Sequence, residues 1–131
     1  MGSIREIIAY GGESFTIEWF YDKNGESEAL YYYRKLPEER RRRLLVLLKR
    51  MGDSGKIYDE TKFRNEGEKI YAFKPQPDRF LCFFFAGRKI ILTNAFEKKT
   101  QKLPRREKDR ALRCKENYEQ RVRKGVYYEN I

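Results

Sequence analysis

Residues 79–86 form an apolar run, Arg-Phe-Leu-Cys-Phe-Phe-Phe-Ala, in which successive positions are hydrophobic. A strand of this kind buries both of its faces, so it needs neighbours in a sheet and cover above and below it. Turn sequences bound the run, with Pro75–Asp78 before it and Gly87 after it. The flanking segments, residues 69–74 and 88–96, are also rich in apolar residues. The sequence therefore predicts a three-stranded antiparallel meander with residues 79–86 at its centre.

The segment before the meander predicts a strand and a helical hairpin. Residues 15–21 are aromatic and β-branched and end at an Asp-Lys-Asn-Gly turn, which is typical of a strand. Ser27 is placed to cap a short helix that runs to Leu36, and Pro37 begins a second helix. We expect Gly52 to stop this second helix. Its apolar side chains fall on one stripe, formed by Leu44, Leu47, Leu48 and Met51.

The remaining segments complete a mixed architecture. Residues 53–67 are polar and are expected to be a long connection before the meander. A last helix begins near Pro104 and carries one narrow apolar stripe suited to packing on a sheet, formed by Ala111, Cys114, Tyr118 and Val122. The order strand, helical hairpin, meander and helix predicts an α+β fold. We expect one domain over residues 15–124, with residues 1–14 as an N-terminal extension and residues 125–131 as a C-terminal tail.

Composition excludes several classes of protein. The chain of 131 residues is 40% hydrophobic, enough to build one core although 38% of its residues are charged. Its two cysteines, Cys82 and Cys114, form neither a CxxC motif nor a secreted disulfide framework. No apolar stretch reaches the length of a signal or transmembrane segment, and the last helix is too polar around its circumference to lie on a lipid surface. These features predict a cytoplasmic protein with no membrane partner.

Positive charge is concentrated late in the chain. Between Lys98 and Lys124, 12 Lys and Arg residues stand against 4 Asp and Glu, which gives this segment +8 of the formal net charge of +10. Such a cluster favours a polyanionic partner, because each cation that meets a phosphate releases counterions. Nucleic acid is therefore the expected partner. The cations expected to contact it are Lys102, Arg105, Arg106, Lys108, Arg110 and Arg113.

Two further features have a structural and a binding interpretation. Tyr71 lies in a predicted strand, where half-buried packing is the favoured outcome and stacking on a base is the alternative. The four arginines 40–43 are interpreted as the solvated face of the second helix, with contact to nucleic acid or a protein partner as the alternative.

The turns of the meander bring cations from three strands to one end of the sheet. Pairing across the first turn sets Lys74 beside Arg79. Pairing across the second turn sets Arg79 opposite Ala95 or Phe96, and Lys98 lies just beyond. Fixed cations are suited to phosphate chemistry, because they stabilise negative charge that develops on nonbridging oxygens. The structural alternative is that these side chains are solvated charges at strand ends.

The clustering of cations around Lys74 also affects its ability to accept a proton. Neighbouring cations lower the pKa of a lysine, since they disfavour its protonated form. Lys74 is therefore a candidate proton acceptor, which matters because the chain contains no histidine.

Three motifs follow one another through the meander and the loop after it. Tyr71–Lys74 (Tyr-Ala-Phe-Lys) precedes Asp78–Phe84 (Asp-Arg-Phe-Leu-Cys-Phe-Phe). The third and most specific motif lies in Ile90–Pro104 and ends in Ala-Phe-Glu-Lys-Lys-Thr-Gln-Lys-Leu-Pro, before a helix that contains Ala111. With these motifs, the chain resembles the phage-derived HigB-like toxins of the RelE/ParE toxin–antitoxin superfamily over about residues 15–120.

The resemblance implies a RelE-like fold and the toxin of a type II toxin–antitoxin pair. Toxins of this kind are mRNA interferases, endoribonucleases that usually cleave messages held in the ribosomal A site. The implied partners are mRNA, the ribosome and a cognate helix-turn-helix antitoxin, and no cofactor is implied. The implied chemistry needs no metal, because the ribose 2′-hydroxyl attacks the neighbouring phosphate and leaves a cyclic phosphate end.

The resemblance also implies roles for individual residues. The positions that match the catalytic residues of the family are Lys74, Arg79, Lys98 and Lys99. Arg79 corresponds to a phosphate clamp and Lys74 to a base. Lys98 or Lys99 corresponds to the acid that protonates the leaving group.

Two other functions stay open on the sequence. Pro77-Asp78 followed by Glu97-Lys98-Lys99 matches the PD and ExK pattern of Mg²⁺-dependent nucleases, and the register sets Asp78 and Glu97 where they can share a hard cation. The second alternative is not an enzyme. It is a basic RNA- or ribosome-binding protein, or a relative of the gyrase-directed branch of the same superfamily.

Overall fold

The computed structural model describes residues 5–129, so residues 1–4 of the expected extension and 130–131 of the expected tail lie outside the described residues. The elements within this range are, in order, β1 (Ile8–Gly11), β2 (Thr16–Trp19), α1 (Glu28–Lys35), α2 (Glu38–Ser54), β3 (Phe63–Gly67), β4 (Ile70–Phe73), β5 (Asp78–Phe85), β6 (Lys89–Glu97) and α3 (Arg105–Arg123). The strands form one six-stranded sheet in the order β1-β2-β6-β5-β4-β3. The predicted α+β fold is confirmed.

The centre of the sheet is apolar on both faces. Along β5, Phe80 and Cys82 pack in the core beneath α1 and α2, whereas Leu81 and Phe83 pack in a second core beneath α3. All four side chains are fully buried, as the apolar run requires. Within residues 5–129, none of the helices has the length and apolar character needed to cross a membrane.

The sheet has two strands that the sequence did not indicate. β1 lies in the predicted extension and pairs with β2. β3 lies in residues 53–67, which were expected to be a connection, so that prediction is wrong for residues 63–67. Phe63 anchors β3 by pairing with Phe73 of β4, and Glu68 and Lys69 make the hairpin turn between the strands with positive φ angles of 55° and 66°.

The end of α2 also differs from the prediction. The helix continues past Gly52 and ends at Gly55, whose φ is +78° and whose N–H donates to the carbonyl of Met51 over 2.9 Å. Gly52 is buried inside the helix because β1 approaches it closely. A Cβ at this position would lie 2.6 Å from Cδ2 of Tyr10. The glycine that was interpreted as a stop is therefore a packing residue.

A buried polar cluster fixes the beginning of α3 on the sheet. The pairing of β5 with β6 is irregular between Phe80 and Cys82, and Asn94 of β6 turns toward α3 at this point. Its amide Nδ2 donates to the backbone oxygen of Glu107 over 3.2 Å and to Oε1 of the same residue over 3.1 Å. Residues 98–104, which join β6 to α3, are thereby held over the end of the sheet.

The segment after α3 folds back and packs on the sheet. Tyr127 is buried, and its hydroxyl accepts the N–H of Tyr21 over 2.9 Å. The Tyr128 hydroxyl donates to Oε1 of the buried Glu18 over 2.8 Å and accepts from Nζ of Lys89 over 3.0 Å. No role was predicted for these two tyrosines, but they attach residues 127–128 to Glu18 of β2, to Tyr21 just after this strand and to Lys89 at the start of β6.

We expect Tyr128→Phe to lower the free energy of unfolding by about 1.5 kcal/mol, because the buried carboxylate of Glu18 loses a donor. Urea unfolding followed by circular dichroism measures this change. Tyr58→Phe is the matched control, since Tyr58 is exposed, and it is expected to change stability by less than about 0.5 kcal/mol. Equal stabilities of the two variants would contradict a stabilising role for the Tyr128 hydroxyl.

Candidate functional site

A cavity of about 310 Å³ opens where β4, β5 and β6 meet the loop before α3. Its lining contains one carboxyl side chain, Glu66, and five cations, which are Arg64, Lys74, Arg79, Lys98 and Lys102. Its volume is at the lower end of the range for small-ligand sites, which is roughly 300 to 1,000 Å³. We call it the cationic cavity. A phosphodiester with its ribose suits its size and charge.

The register of the meander assembles the cationic cavity. Arg79 pairs with Phe96, and the last pair of β4 with β5 is Phe73 with Phe80, so Lys74 and Arg79 are the next residues of the two strands and both line the cavity. Lys98 follows β6 and also lines the cavity, so all three cations of the predicted cluster are in the lining. Lys99, the fourth candidate, is exposed and does not line the cavity.

Arg79 is a buried guanidinium with an unused donor. Its side chain is 5% exposed, and its Nη1 donates to the backbone oxygen of Asp78 over 3.0 Å and to Oε1 of Gln76 over 3.3 Å. Its Nη2 is buried and has no hydrogen-bond partner among the described residues. Burial lowers the pKa of Arg79 while Glu66 opposes this, and the group stays charged because arginine is not deprotonated in proteins. A fixed positive charge with a free donor suits an incoming phosphate oxygen.

The pKa of Lys74 is lowered, in the direction predicted. The leading cause is burial rather than crowding, and Glu66 opposes the shift. The neighbouring cations that lower this pKa further are Arg79 first, then Arg64 and Lys98. Nζ of Lys74 donates to the backbone oxygen of Glu60 over 3.0 Å, which holds the amine at the edge of the cavity.

Strand β3 brings two residues to the cavity that sequence reasoning missed. Arg64 and Glu66 lie on this edge strand, within the segment that was interpreted as a connection. The signal for the strand is slight, one aromatic residue, Phe63, ahead of the turn-forming run Asn-Glu-Gly-Glu-Lys. Glu66 is the one carboxyl group in the lining, so it is a second candidate proton acceptor beside Lys74.

The carboxylates of the nuclease alternative are separated by an arginine. Asp78 and Glu97 pair across the end of the β5–β6 hairpin, as predicted. However, Asp78 is fully buried, and Arg40 donates to its two oxygens over 2.9 and 2.5 Å while Tyr32 donates to Oδ1 over 2.5 Å. Arg40 also lies 3.4 Å from Oε1 of Glu97. A guanidinium thus lies where the shared cation would bind, and the interpretation of Arg40 as a purely solvated side chain is wrong.

Other possible metal ligands in the described part of the chain are also not grouped. Within residues 5–129, no group of three or more Asp, Glu or Cys side chains is arranged to hold a metal ion. The geometry therefore gives no support to the Mg²⁺-dependent alternative.

The expected RNA-contacting cations near α3 have different environments. Lys102 lines the cationic cavity. Arg106 and Arg113 are exposed and have no ion-pair partner among the described residues. Three others are held in ion pairs of 3.1 to 3.3 Å by Glu68 or Glu28, namely Arg105, Lys108 and Arg110. The pairs of Arg105 and Arg110 are exposed and therefore weak, so phosphates can compete for these two cations, whereas the Lys108 side chain is 14% exposed.

Tyr71 is a packing residue. Its ring stacks on Phe63 with 5.6 Å between the centroids and meets Phe84 edge-on at 5.0 Å. The side chain is half-buried, which confirms the favoured interpretation. Because a neighbouring ring covers one of its faces, the geometry does not favour Tyr71 as a platform for a base.

Comparison with known proteins gives an informative match to a protein family. A family model described as phage-derived protein Gp49-like (DUF891) matches residues 32–116, which is more than half of the chain. The match runs from α1 into α3 and includes every residue that lines the cationic cavity. A search of curated proteins finds no match to the chain.

Proposed function

The chain belongs to the phage-derived Gp49-like family, which is linked to toxins of toxin–antitoxin systems, and from this membership we propose that it is the toxin of a type II pair. We propose further that it is a HigB-like mRNA interferase that cleaves messages on the ribosome. The observation that carries this proposal is the convergence of Lys74, Arg79 and Lys98 on one cavity within the matched region. A helix-turn-helix antitoxin is the proposed protein partner.

The proposed chemistry is an intramolecular transesterification, in which a phosphoryl group of the RNA backbone moves from the 5′-oxygen to the 2′-oxygen. A base takes the proton of the ribose 2′-hydroxyl, and the 2′-oxygen attacks the adjacent phosphorus. The bond from phosphorus to the 5′-oxygen breaks, and an acid protonates that oxygen, which leaves a 2′,3′-cyclic phosphate and a 5′-hydroxyl. DNA lacks the 2′-hydroxyl and is not a substrate for this reaction.

The environments of the cavity residues support particular roles. Arg79 clamps a nonbridging oxygen, because its charge is fixed and its Nη2 is unpaired among the described residues. Lys98 is favoured over Lys99 as the acid, since only Lys98 lines the cavity. The base is Lys74, whose lowered pKa increases its neutral fraction, with Glu66 as the competing candidate.

The pH dependence of cleavage is expected to identify the base. A neutral lysine is the active form, so the rate with Lys74 as base rises as pH increases through the lowered pKa. Lys74→Arg keeps the positive charge and removes the acceptor, and we expect at least about tenfold slower single-turnover cleavage without the alkaline rise. Glu66→Gln is the paired variant. A pH profile that Lys74→Arg leaves unchanged and Glu66→Gln abolishes would assign the base to Glu66.

Salt is expected to weaken RNA binding steeply. If a single-stranded RNA meets four cations of the cavity, the slope of log K against log[salt] is about −2.8, since each contact contributes about −0.7. Raising KCl from about 50 to about 200 mM then weakens binding roughly fifty-fold. Fluorescence anisotropy with a short labelled RNA measures this slope, and Lys98→Ala should reduce its size by about 0.7. A slope near zero would remove the electrostatic basis of the proposal.

Expression in cells tests the proposed function most directly. We expect growth arrest together with cleaved messages detected by primer extension, and relief of both by the neighbouring antitoxin gene. Purified protein should cut translated mRNA on ribosomes and leave free RNA largely intact, so robust cutting of free RNA would contradict ribosome dependence. Growth arrest with intact messages would instead favour the non-catalytic or gyrase-directed alternative. Loss of cleavage in Glu97→Gln would instead support the Mg²⁺-dependent nuclease alternative.

A further inference from the structure

A groove of about 360 Å³ lies between α2 and the turn that joins β4 to β5. Arg43, Val46 and Arg50 of α2 form one side of it, and Lys62 and Gln76 lie on the other. We call it the α2 groove. It shares no lining residue with the cationic cavity.

The α2 groove combines exposed apolar surface with a cationic rim. Val46, which lines the groove, is 51% exposed, and Leu45, which lies outside the lining, is 41% exposed. The lining contains three cations, Arg43, Arg50 and Lys62, and no carboxyl group. Arg43, Val46 and Arg50 follow one another at i, i+3 and i+7, so this side extends along α2 for about 10 Å.

These features together select a class of partner. A bare polyanion gains little from the exposed valine of the lining, whereas an apolar helix gains nothing from its three cations. An acidic amphipathic helix uses both, because its apolar residues cover Val46 while its carboxylates meet the rim. Two turns of such a helix match the length of the groove.

The α2 groove is also joined to the candidate site. The backbone oxygen of Gln76 accepts from Nη1 of Arg43 over 3.0 Å, and its side-chain Oε1 accepts from Nη1 of Arg79 over 3.3 Å. The backbone oxygen of Lys62 accepts the N–H of Lys74 over 2.8 Å. A partner seated here therefore touches the residues that hold two of the proposed catalytic side chains, which favours an inhibitory partner.

We propose that the α2 groove binds an acidic amphipathic helix of the antitoxin. The identity of the partner rests on the proposed function, whereas the chemistry of the helix rests on the groove alone.

A peptide of about 18 residues, with leucines on one helical face and glutamates on the other, is the probe for this surface. Its fluorescein-labelled form is expected to bind the full chain saturably in an anisotropy titration. Val46→Glu should weaken this binding about tenfold, because the variant loses apolar burial and adds repulsion. Arg50→Glu should weaken it several-fold and flatten its dependence on salt. Arg42→Glu is the matched control, since Arg42 is an exposed arginine of α2 outside the groove lining, and it should change affinity by less than about twofold.

Several results would overturn the proposal. The first is failure of the acidic peptide to bind. The second is equal binding of a peptide with lysines in place of the glutamates. The third is equal affinity of the wild-type and Val46→Glu chains for the acidic peptide. A loss of RNA binding in Val46→Glu and Arg50→Glu as large as the loss of peptide binding would assign the groove to RNA instead.

A test in cells separates this inference from the proposed function. Neither Val46 nor Arg50 lines the cationic cavity, so both variants should still arrest growth when expressed alone. Val46→Glu should also arrest growth when the antitoxin is co-expressed, whereas Arg42→Glu should be neutralised. Neutralisation of Val46→Glu would overturn the groove proposal with the toxin assignment intact, and a wild-type chain without toxicity would overturn the toxin assignment itself.

Discussion

Replacing Arg79 with alanine is expected to relieve growth arrest and to slow cleavage of ribosome-bound mRNA about 100- to 1,000-fold. Arg79 is 5% exposed, lines the cationic cavity and has a buried Nη2 without a partner among the described residues. A preorganised donor of this kind stabilises charge that develops in the transition state and costs no reorganisation during the reaction. Single-turnover kinetics on programmed ribosomes measures the loss.

Two further variants make this result interpretable. Arg79→Lys keeps the charge but loses the planar donor fork, so its rate should lie between those of the wild type and Arg79→Ala. Arg123→Ala removes an exposed arginine at the end of α3 that is not part of the cavity lining, and it should cleave at nearly the wild-type rate. Thermal unfolding checks that Arg79→Ala is folded. Full toxicity of a folded Arg79→Ala chain would eliminate Arg79 as the phosphate clamp.

Removing Arg40 is expected to lower the free energy of unfolding by about 3 kcal/mol. Asp78 is fully buried, and Arg40 donates to both of its oxygens. Among the described residues, Arg40→Ala leaves the carboxylate with the Tyr32 hydroxyl as its one remaining side-chain donor. Breaking a buried pair in this way costs about 3 to 5 kcal/mol, and the lower end applies because the Arg40 side chain is itself 25% exposed.

The same helix provides the control for Arg40→Ala. Arg42 is two residues further along α2 and pairs with Glu38 on the solvent-exposed side, so Arg42→Ala should change stability by less than about 0.5 kcal/mol. Asp78→Asn is expected to cost less than Arg40→Ala, since the guanidinium it leaves unpaired still reaches solvent and Glu97. Equal unfolding midpoints for Arg40→Ala and Arg42→Ala would mean that the buried pair contributes no net stability.

The meander and its register could be predicted because the information for them is local. Short turns fix which residues of adjacent strands pair, and a run that is apolar at every position has to lie in the centre of a sheet. Arg79 was accordingly placed opposite Ala95 or Phe96, and it pairs with Phe96. The convergence of Lys74, Arg79 and Lys98 follows from the same local rules.

Other features could not be predicted because their signals are weak or non-local. β3 is an edge strand whose exposed residues are polar, so its composition resembles that of a loop, and Arg64 and Glu66 were missed with it. The sequence does not distinguish Arg40 from the three arginines that follow it. Arg40 differs from them because the fold places Asp78 within hydrogen-bonding distance of its guanidinium. The two glycines Gly52 and Gly55 are likewise equivalent as stop signals until β1 is seen to pack against the first.

The parallel pairing of β2 with β6 sets Thr16 beside Lys89. β2 therefore gains its central neighbour in the sheet only when β6, which is more than 70 residues later in the chain, has been added. Contacts between such distant parts of a polypeptide are slow to form, because a large loop must close before they contribute any stability. During translation, β2 leaves the ribosome long before β6, and the cationic cavity takes Lys98 and Lys102 from residues that emerge later still. The cationic cavity can therefore be completed only after the last third of the chain has been synthesised.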